Sequence, residues 1–197
     1  MGAYEVVTIG ASWGALNALR IILGKLPAGF PPAVIVVPHR SKDHEQLLPG
    51  LLAESCKLPV HEVDDKDQIA GGNVYLAPSD YHLMLDPSGH FSLSVDEPVR
   101  FSRPSIDVTF ESVADAFADR AIGIVLTGAN EDGSRGLKRI SQRGGHAIVQ
   151  DPATAEVDIM PAAALVAVPD AVVLPLEKIA DYLTTLVTRE PQIGATT

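Results

Sequence analysis

The sequence has one cysteine, Cys56, and one tryptophan, Trp13, and its 15 Lys and Arg are outnumbered by 25 Asp and Glu, for a formal net charge of −10. A lone cysteine excludes an internal disulfide and suits a reducing compartment. The acidic balance argues against a broad nucleic-acid footprint, which needs clustered Lys and Arg to neutralise phosphates. No apolar run approaches the roughly 20 residues of a membrane helix; the longest are short blocks such as 33–37. The first residues lack the basic segment and apolar stretch of a signal peptide. Val6 stands where a myristoylation motif needs Ser or Thr. No repeat of 20–50 residues and no low-complexity block is present. What is there is a globular composition, 46% hydrophobic and 20% charged, able to bury a core. The expectation is one domain over residues 1–197, cytoplasmic, with neither nucleic acid nor membrane as a direct partner.

Hydrophobic patterning sets out the elements. Glu5–Ile9 reads as a short strand running into Gly10-Ala11-Ser12-Trp13-Gly14. Leu16, Leu19, Ile22, Leu23 and Leu26 then recur at helical spacing until Pro27 and Gly29. Ala33–Val37 is apolar throughout, as in a strand buried on both faces of a parallel sheet. Leu47, Leu48, Leu51 and Leu52 predict a helix, with Pro49 and Gly50 as its start or a kink. Asn73–Ala77 and Tyr81–Leu85 are strand-like, and the turn Asp86-Pro87-Ser88-Gly89 leads into His90–Val95 to make an antiparallel hairpin. After Ser105 as N-cap, Phe110, Val113, Ala114 and Phe117 mark a helix. Ile122–Leu126 is a buried strand, followed by a helix near Ser134–Gln142 and the strand His146–Gln150. Leu176, Ile179, Leu183, Leu186 and Val187 mark a final helix. The fold predicted is α/β: a doubly wound, mostly parallel sheet with an inserted antiparallel hairpin, a Rossmann-like three-layer sandwich. Sites in such folds lie beyond the carboxyl ends of the strands. Three of those ends carry Ser12, His39 and Asp132.

Gly10-Ala11-Ser12-Trp13-Gly14 matches G-x-S-x-G at a strand-to-helix turn, the context of a nucleophile elbow. The pentapeptide alone supports two other readings equally: a packing turn, and a phosphate-binding turn. A lone His39 after a strand is more often structural, and Asp132 alone reads best as a turn or N-cap aspartate. All three on one predicted rim make a Ser-His-Asp triad the better account. Their order along the chain differs from the Ser, Asp, His order of α/β-hydrolases. Asp107, at the start of its helix, reads as a dipole partner and is the main rival to Asp132. The spacing of His39 and His44, and the placing of His82 and His90 on the hairpin, give no metal site. The run Asp64-Asp65-Lys66-Asp67 reads as a solvated loop, and Cys56 as a small packing residue.

Ile9-Gly10-Ala11-Ser12-Trp13-Gly14, Pro38-His39, Ala77-Pro78-Ser79-Asp80-Tyr81-His82, Arg103-Pro104-Ser105-Ile106-Asp107, Leu126 to Gly133 and Met160-Pro161 occur in order. Together they resemble the catalytic domain of the chemotaxis protein-glutamate methylesterases, the CheB type, from about Val6 to Leu186. The resemblance implies Ser12 as nucleophile, His39 as base and Asp132 as the residue orienting it, with no cofactor. It implies a methyl-accepting chemotaxis receptor as protein substrate, with glutamine deamidation as a second activity at the same site. The amides of Trp13 and Ala129 are the expected oxyanion donors. Trp13-Gly14-Ala15 departs from the family's usual T-G-G, and Ile159 from its usual glycine. The receiver domain common in the family does not precede the first strand here, which leaves two readings open: a domain excised from a longer protein, or a stand-alone version without built-in phospho-control, with a separate receiver or regulatory protein as a further partner. Two alternatives stay open. One is a nucleotide-binding protein using Gly10–Ala15 as a phosphate turn and Arg40 for a 2′-phosphate. The other is a non-catalytic module with Trp13 blocking the pocket.

Overall fold

Two strands rich in β-branched residues, β1 (Val6–Ala11) and β2 (Ala33–Pro38), pair in parallel with Val6 opposite Ala33 and Ala11 opposite Pro38. Every residue in both is buried, because helices cover the two faces of the sheet. The structure, a computed structural model, describes residues 4–39 and 47–188, so Arg40 and His44 lie outside the described residues. The other parallel strands are β3 (Val60–Glu62), β4 (Val74–Leu76), β7 (Ala121–Val125), β8 (His146–Gln150) and β9 (Val172–Leu174), in the order β3-β4-β2-β1-β7-β8-β9. The predicted hairpin, β5 (His82–Leu85) and β6 (Phe91–Ser94), forms a separate antiparallel pair.

Alternate residues of the central strands feed two cores. Val7, Ile9, Val34 and Val36 pack with α1 (Ala15–Lys25), α2 (Leu47–Ala53) and α6 (Leu176–Thr188). Val6, Ile35 and Val37 pack with the hairpin, α3 (Ile106–Phe117), α4 (Ser134–Gln142) and α5 (Ile159–Ala167). Leu19, Ile22 and Leu23 of α1 are wholly buried, each contributing roughly 1.5–3 kcal/mol of hydrophobic stabilisation. The three-layer architecture is the one predicted. Pro49 and Gly50 lie within α2, and Ser105 caps α3 by accepting from the Val108 amide at 3.5 Å.

Three elements escaped the sequence reading: β3, β9 and α5. The two strands are only three residues long at the sheet's edges, too short to show a period. α5 carries Pro161 and four alanines, so its apolar stripe is weak.

What the fold does for the site is to bring three strand ends level. The His39 amide donates to Ala11 O at 2.9 Å, and the Ser12 amide to Thr127 O at 3.0 Å. The chain leaves β1 for β2 on one side and returns as β7 on the other. The rim above β2, β1 and β7 is therefore a topological switch point, where open α/β sheets hold their ligands.

Candidate active site

Ser12 follows the last residue of β1 on a turn that needs both of its glycines. A Cβ on Gly10 would stand 2.4 Å from Ile106 Cγ2, so only glycine lets the start of α3 approach β1. Gly14 has φ 80° and caps α1, a left-handed conformation that side chains rarely adopt. Ser12 and His39 line one cleft of about 900 Å³, walled by Trp13, Leu16, Leu47 and Leu51. Among the described residues, the amides of Trp13 and Ala129 donate to no other group of the chain.

His39 reaches Asp132 through Nε2, at 2.8 Å from Oδ2. An ionised carboxylate only accepts, so Nε2 carries the hydrogen and Nδ1 keeps its lone pair. Nδ1 is met by Ser102 Oγ and Asn130 Nδ2, each at 3.4 Å, and among the described residues no hydrogen bond joins it to Ser12. Neither of these neighbours carried a signal in the sequence; the fold brings them in.

Asp132 is fully buried and accepts from five donors. Oδ2 takes the His39 imidazole and the Ile106 amide (2.6 Å). Oδ1 takes Ser105 Oγ (2.9 Å) and the amides of Asp107 (3.0 Å) and Gly133 (3.0 Å). Burial alone would raise its pKa, but the bonds from His39, Asp107 and Ile106 and the His39 charge outweigh it. The carboxyl is thereby held below its usual value.

Asp107 does something other than its expected role. Its carboxylate turns away from its own helix and accepts the amides of Gly133 and Gly136, at 2.9 and 2.8 Å, at the start of α4. Burial pushes its pKa up; the Gly136 bond opposes this and the Asp132 charge adds to it. The nearest cations are Arg100 and Arg135, at 3.8 and 3.9 Å. It is a structural clasp, well separated in role from the imidazole.

Trp13 neither fills a core nor plugs the cleft. Its side is exposed, at 64%, and its indole N–H donates to Glu156 Oε1 at 2.9 Å. Thr127 Oγ1 ties the same turn to the following loop by donating to Trp13 O and accepting from the Val157 amide. The Glu156 carboxylate also stands over Gly14, 2.7 Å from where a Cβ would sit. A negative group therefore already occupies the start of α1, where a phosphate-binding turn would hold its anion. The remaining candidates have local structural roles. His82 is buried between Glu97 O and the Ser105 amide, Cys56 is half-buried, and Asp65 and Asp67 accept backbone amides. No group of three or more His, Cys, Asp or Glu suited to a metal exists among the described residues.

An imidazole held by a buried carboxylate on the wall of an open cleft is equipped to move protons to and from an attacking oxygen. On a doubly wound sheet, that places the protein among the α/β hydrolytic enzymes. Comparison with known proteins sharpens the class. Residues 7–183 match the family described as CheB methylesterase. A Leptospira interrogans protein carried under the provisional name protein-glutamate methylesterase/protein-glutamine glutaminase is 44% identical over 178 residues, 90% of this chain and 92% of that one. The Symbiobacterium thermophilum protein of the same name is 36% identical over 180 residues, 91% of this chain and 50% of its own length. The crystal structure of the Thermotoga maritima CheB methylesterase catalytic domain superposes with a TM-score of 0.90 at 32% identity, covering 94% of this chain and 100% of that domain. The chain belongs to the CheB methylesterase family.

Proposed function

We propose that this protein hydrolyses γ-glutamyl methyl esters on a cytoplasmic, methyl-accepting chemotaxis receptor, with Ser12 as nucleophile, His39 as general base and Asp132 as its orienting carboxylate. The observation that carries this reading is the imidazole's division of labour. Nε2 is held by Asp132 at 2.8 Å, and Ser12 lines the same cleft as the ring; in this reading Nδ1 exchanges its 3.4 Å contacts with Ser102 and Asn130 for the serine hydroxyl. The names of the relatives support the ester and the amide as substrates.

In this mechanism Ser12 Oγ attacks the ester carbonyl while its proton passes to His39 Nδ1. Asp132 stabilises the imidazolium so formed. The amides of Trp13 and Ala129 receive the oxyanion. Collapse breaks the bond to the methoxy oxygen, which leaves as methanol with the proton from Nδ1. Water, deprotonated by the same nitrogen, then cleaves the acyl-enzyme to glutamate and free serine. A glutamine side chain would follow the same course with ammonia as leaving group. Residues 1–197 would act as one catalytic domain, with a receiver or regulatory protein as a further partner.

The test is to incubate the protein with a serine-directed fluorophosphonate and map the adduct by mass, alongside methanol release from a methylated receptor fragment. Modification of Ser12 with parallel loss of methanol release is expected. An adduct elsewhere, or full activity after Ser12 is blocked, overturns the reading.

A further inference from the structure

Residues 99–102 form a tight turn beside the catalytic cleft. Val99 and Ser102 exchange both backbone hydrogen bonds, at 3.1 and 2.9 Å, and the two residues between them, Arg100 and Phe101, have φ of 49° and 64°. Such a turn favours Asn and Gly. A bulky side chain in the left-handed region is strained, and persists only where its surroundings impose it. Here they do so from both sides. Arg100 is tied to Glu131 at 2.8 Å, and Ser102 Oγ lies 3.4 Å from His39 Nδ1.

The product of that strain is a phenylalanine held entirely in water, for Phe101 is fully exposed. Its neighbours extend the apolar surface. Arg103 binds Asp80 at 2.6 Å and the carbonyls of Val95 and Asp96 at 2.8 and 3.0 Å, gathering the segments that carry the exposed Tyr81 and Val95. On the cleft's own wall Trp13, Leu16 and Leu47 are exposed. Six of the nine exposed large apolar side chains among the described residues thus belong to the cleft or to the loops tied beside it. Apolar exposure concentrated in this way marks a surface that meets a macromolecule.

We propose that Phe101 is a docking anchor for the protein substrate, seating in an apolar hollow of the substrate's surface while the ester enters the cleft. This rests on the reading that the substrate is a methylated protein. The turn fixes the distance: Ser102 touches His39, so Phe101 reaches substrate within about 10 Å of the ester, roughly two turns along a helix. The partner surface it fits is an apolar depression within that distance of the modified glutamate. Small esters lack that surface.

The experiment compares kcat/KM on a methylated receptor fragment with kcat/KM on a small glutamyl methyl ester, for wild type, Phe101→Gly and Phe101→Leu. Phe101→Gly should lower the receptor value at least tenfold more than the small-ester value, through KM, the scale of a lost interface hot spot. Its melting temperature should equal or exceed that of wild type, because glycine relieves the left-handed strain. Phe101→Leu should recover most of the receptor value. Equal losses on both substrates, or wild-type receptor kinetics in Phe101→Gly, overturn the proposal. So does a Phe101→Gly effect confined to self-association. Wild-type protein that cleaves the small ester but never the receptor would overturn the functional reading and this inference together.

Discussion

Asp132 and Asp107 cap each other's helices. Asp132, from the loop before α4, accepts the Ile106 and Asp107 amides that open α3, and Asp107, from α3, accepts the Gly133 and Gly136 amides that open α4. Each carboxylate thus satisfies amides that no helix can satisfy internally. The exchange fixes the loop that presents Asp132 to His39.

The two aspartates should respond differently to an amide isostere. Both bonds to Asp107 fall on Oδ1, and Oδ2 has no hydrogen-bond partner among the described residues. Asparagine can keep both bonds, so Asp107→Asn should change stability by no more than about 1 kcal/mol and leave most activity. Both oxygens of Asp132 are occupied by donors, so an NH₂ group there must face one. Asp132→Asn should cost roughly 1–3 kcal/mol of stability and, through the wrong tautomer, roughly 10⁴ in kcat. Urea unfolding and methanol release measure the two effects; the reverse ranking would refute the assignment.

Their opposed pKa shifts predict opposite pH dependence. The depressed carboxyl of Asp132 contributes stability that is whole above about pH 4 and is lost as the pH falls through its folded value. Asp107 is raised, so its buried charge costs stability at neutral pH, a cost relieved as the pH falls through its raised folded value. Wild type should therefore gain stability relative to Asp107→Asn between about pH 7 and pH 4.5. Denaturant titrations at both values decide the matter, and a constant difference would contradict it.

Removing the proposed nucleophile should leave a folded, silent protein. Ser12→Ala should lose on the order of 10⁴–10⁶ in kcat with an unchanged melting temperature, since the hydroxyl faces the cleft rather than the core. Methanol release at the wild-type rate would end the Ser12 assignment.

The exposed, latched indole makes Trp13 a cleft wall. Trp13→Thr should raise kcat/KM on longer acyl esters relative to short ones by roughly 1–3 kcal/mol per methylene accommodated. Glu156→Ala, which frees the indole, should move the ratio the same way but less. A ratio fixed in both variants would show that the pair has no part in substrate choice.

Much of this is legible in the sequence. The β-branched segment 5–9 and the apolar runs 33–37 and 122–126 point to a buried parallel sheet, and strand ends on one rim single out Ser12, His39 and Asp132 as a group. What stayed hidden depends on contacts between distant segments. Ser102, Ser105 and Asn130 gather around the histidine and its carboxylate only after folding, and Trp13 meets Glu156 across 143 positions. The clasp that Asp107 makes with α4 is hidden for the same reason. Its place at a helix start was visible, but the helix it serves is its neighbour.

The strand order also carries a consequence for synthesis. β1 lies in the middle of the sheet and is made well before its second neighbour, β7, which begins only at Ala121. A nascent chain that has emerged to the hairpin therefore presents a mostly apolar strand with one side unpaired, a template for association with other chains. Fragments ending before Ala121 should aggregate on expression, and fragments that include β7 and β8 should recover solubility, so the central strand that builds the catalytic rim is also the segment most exposed to chaperones on the ribosome.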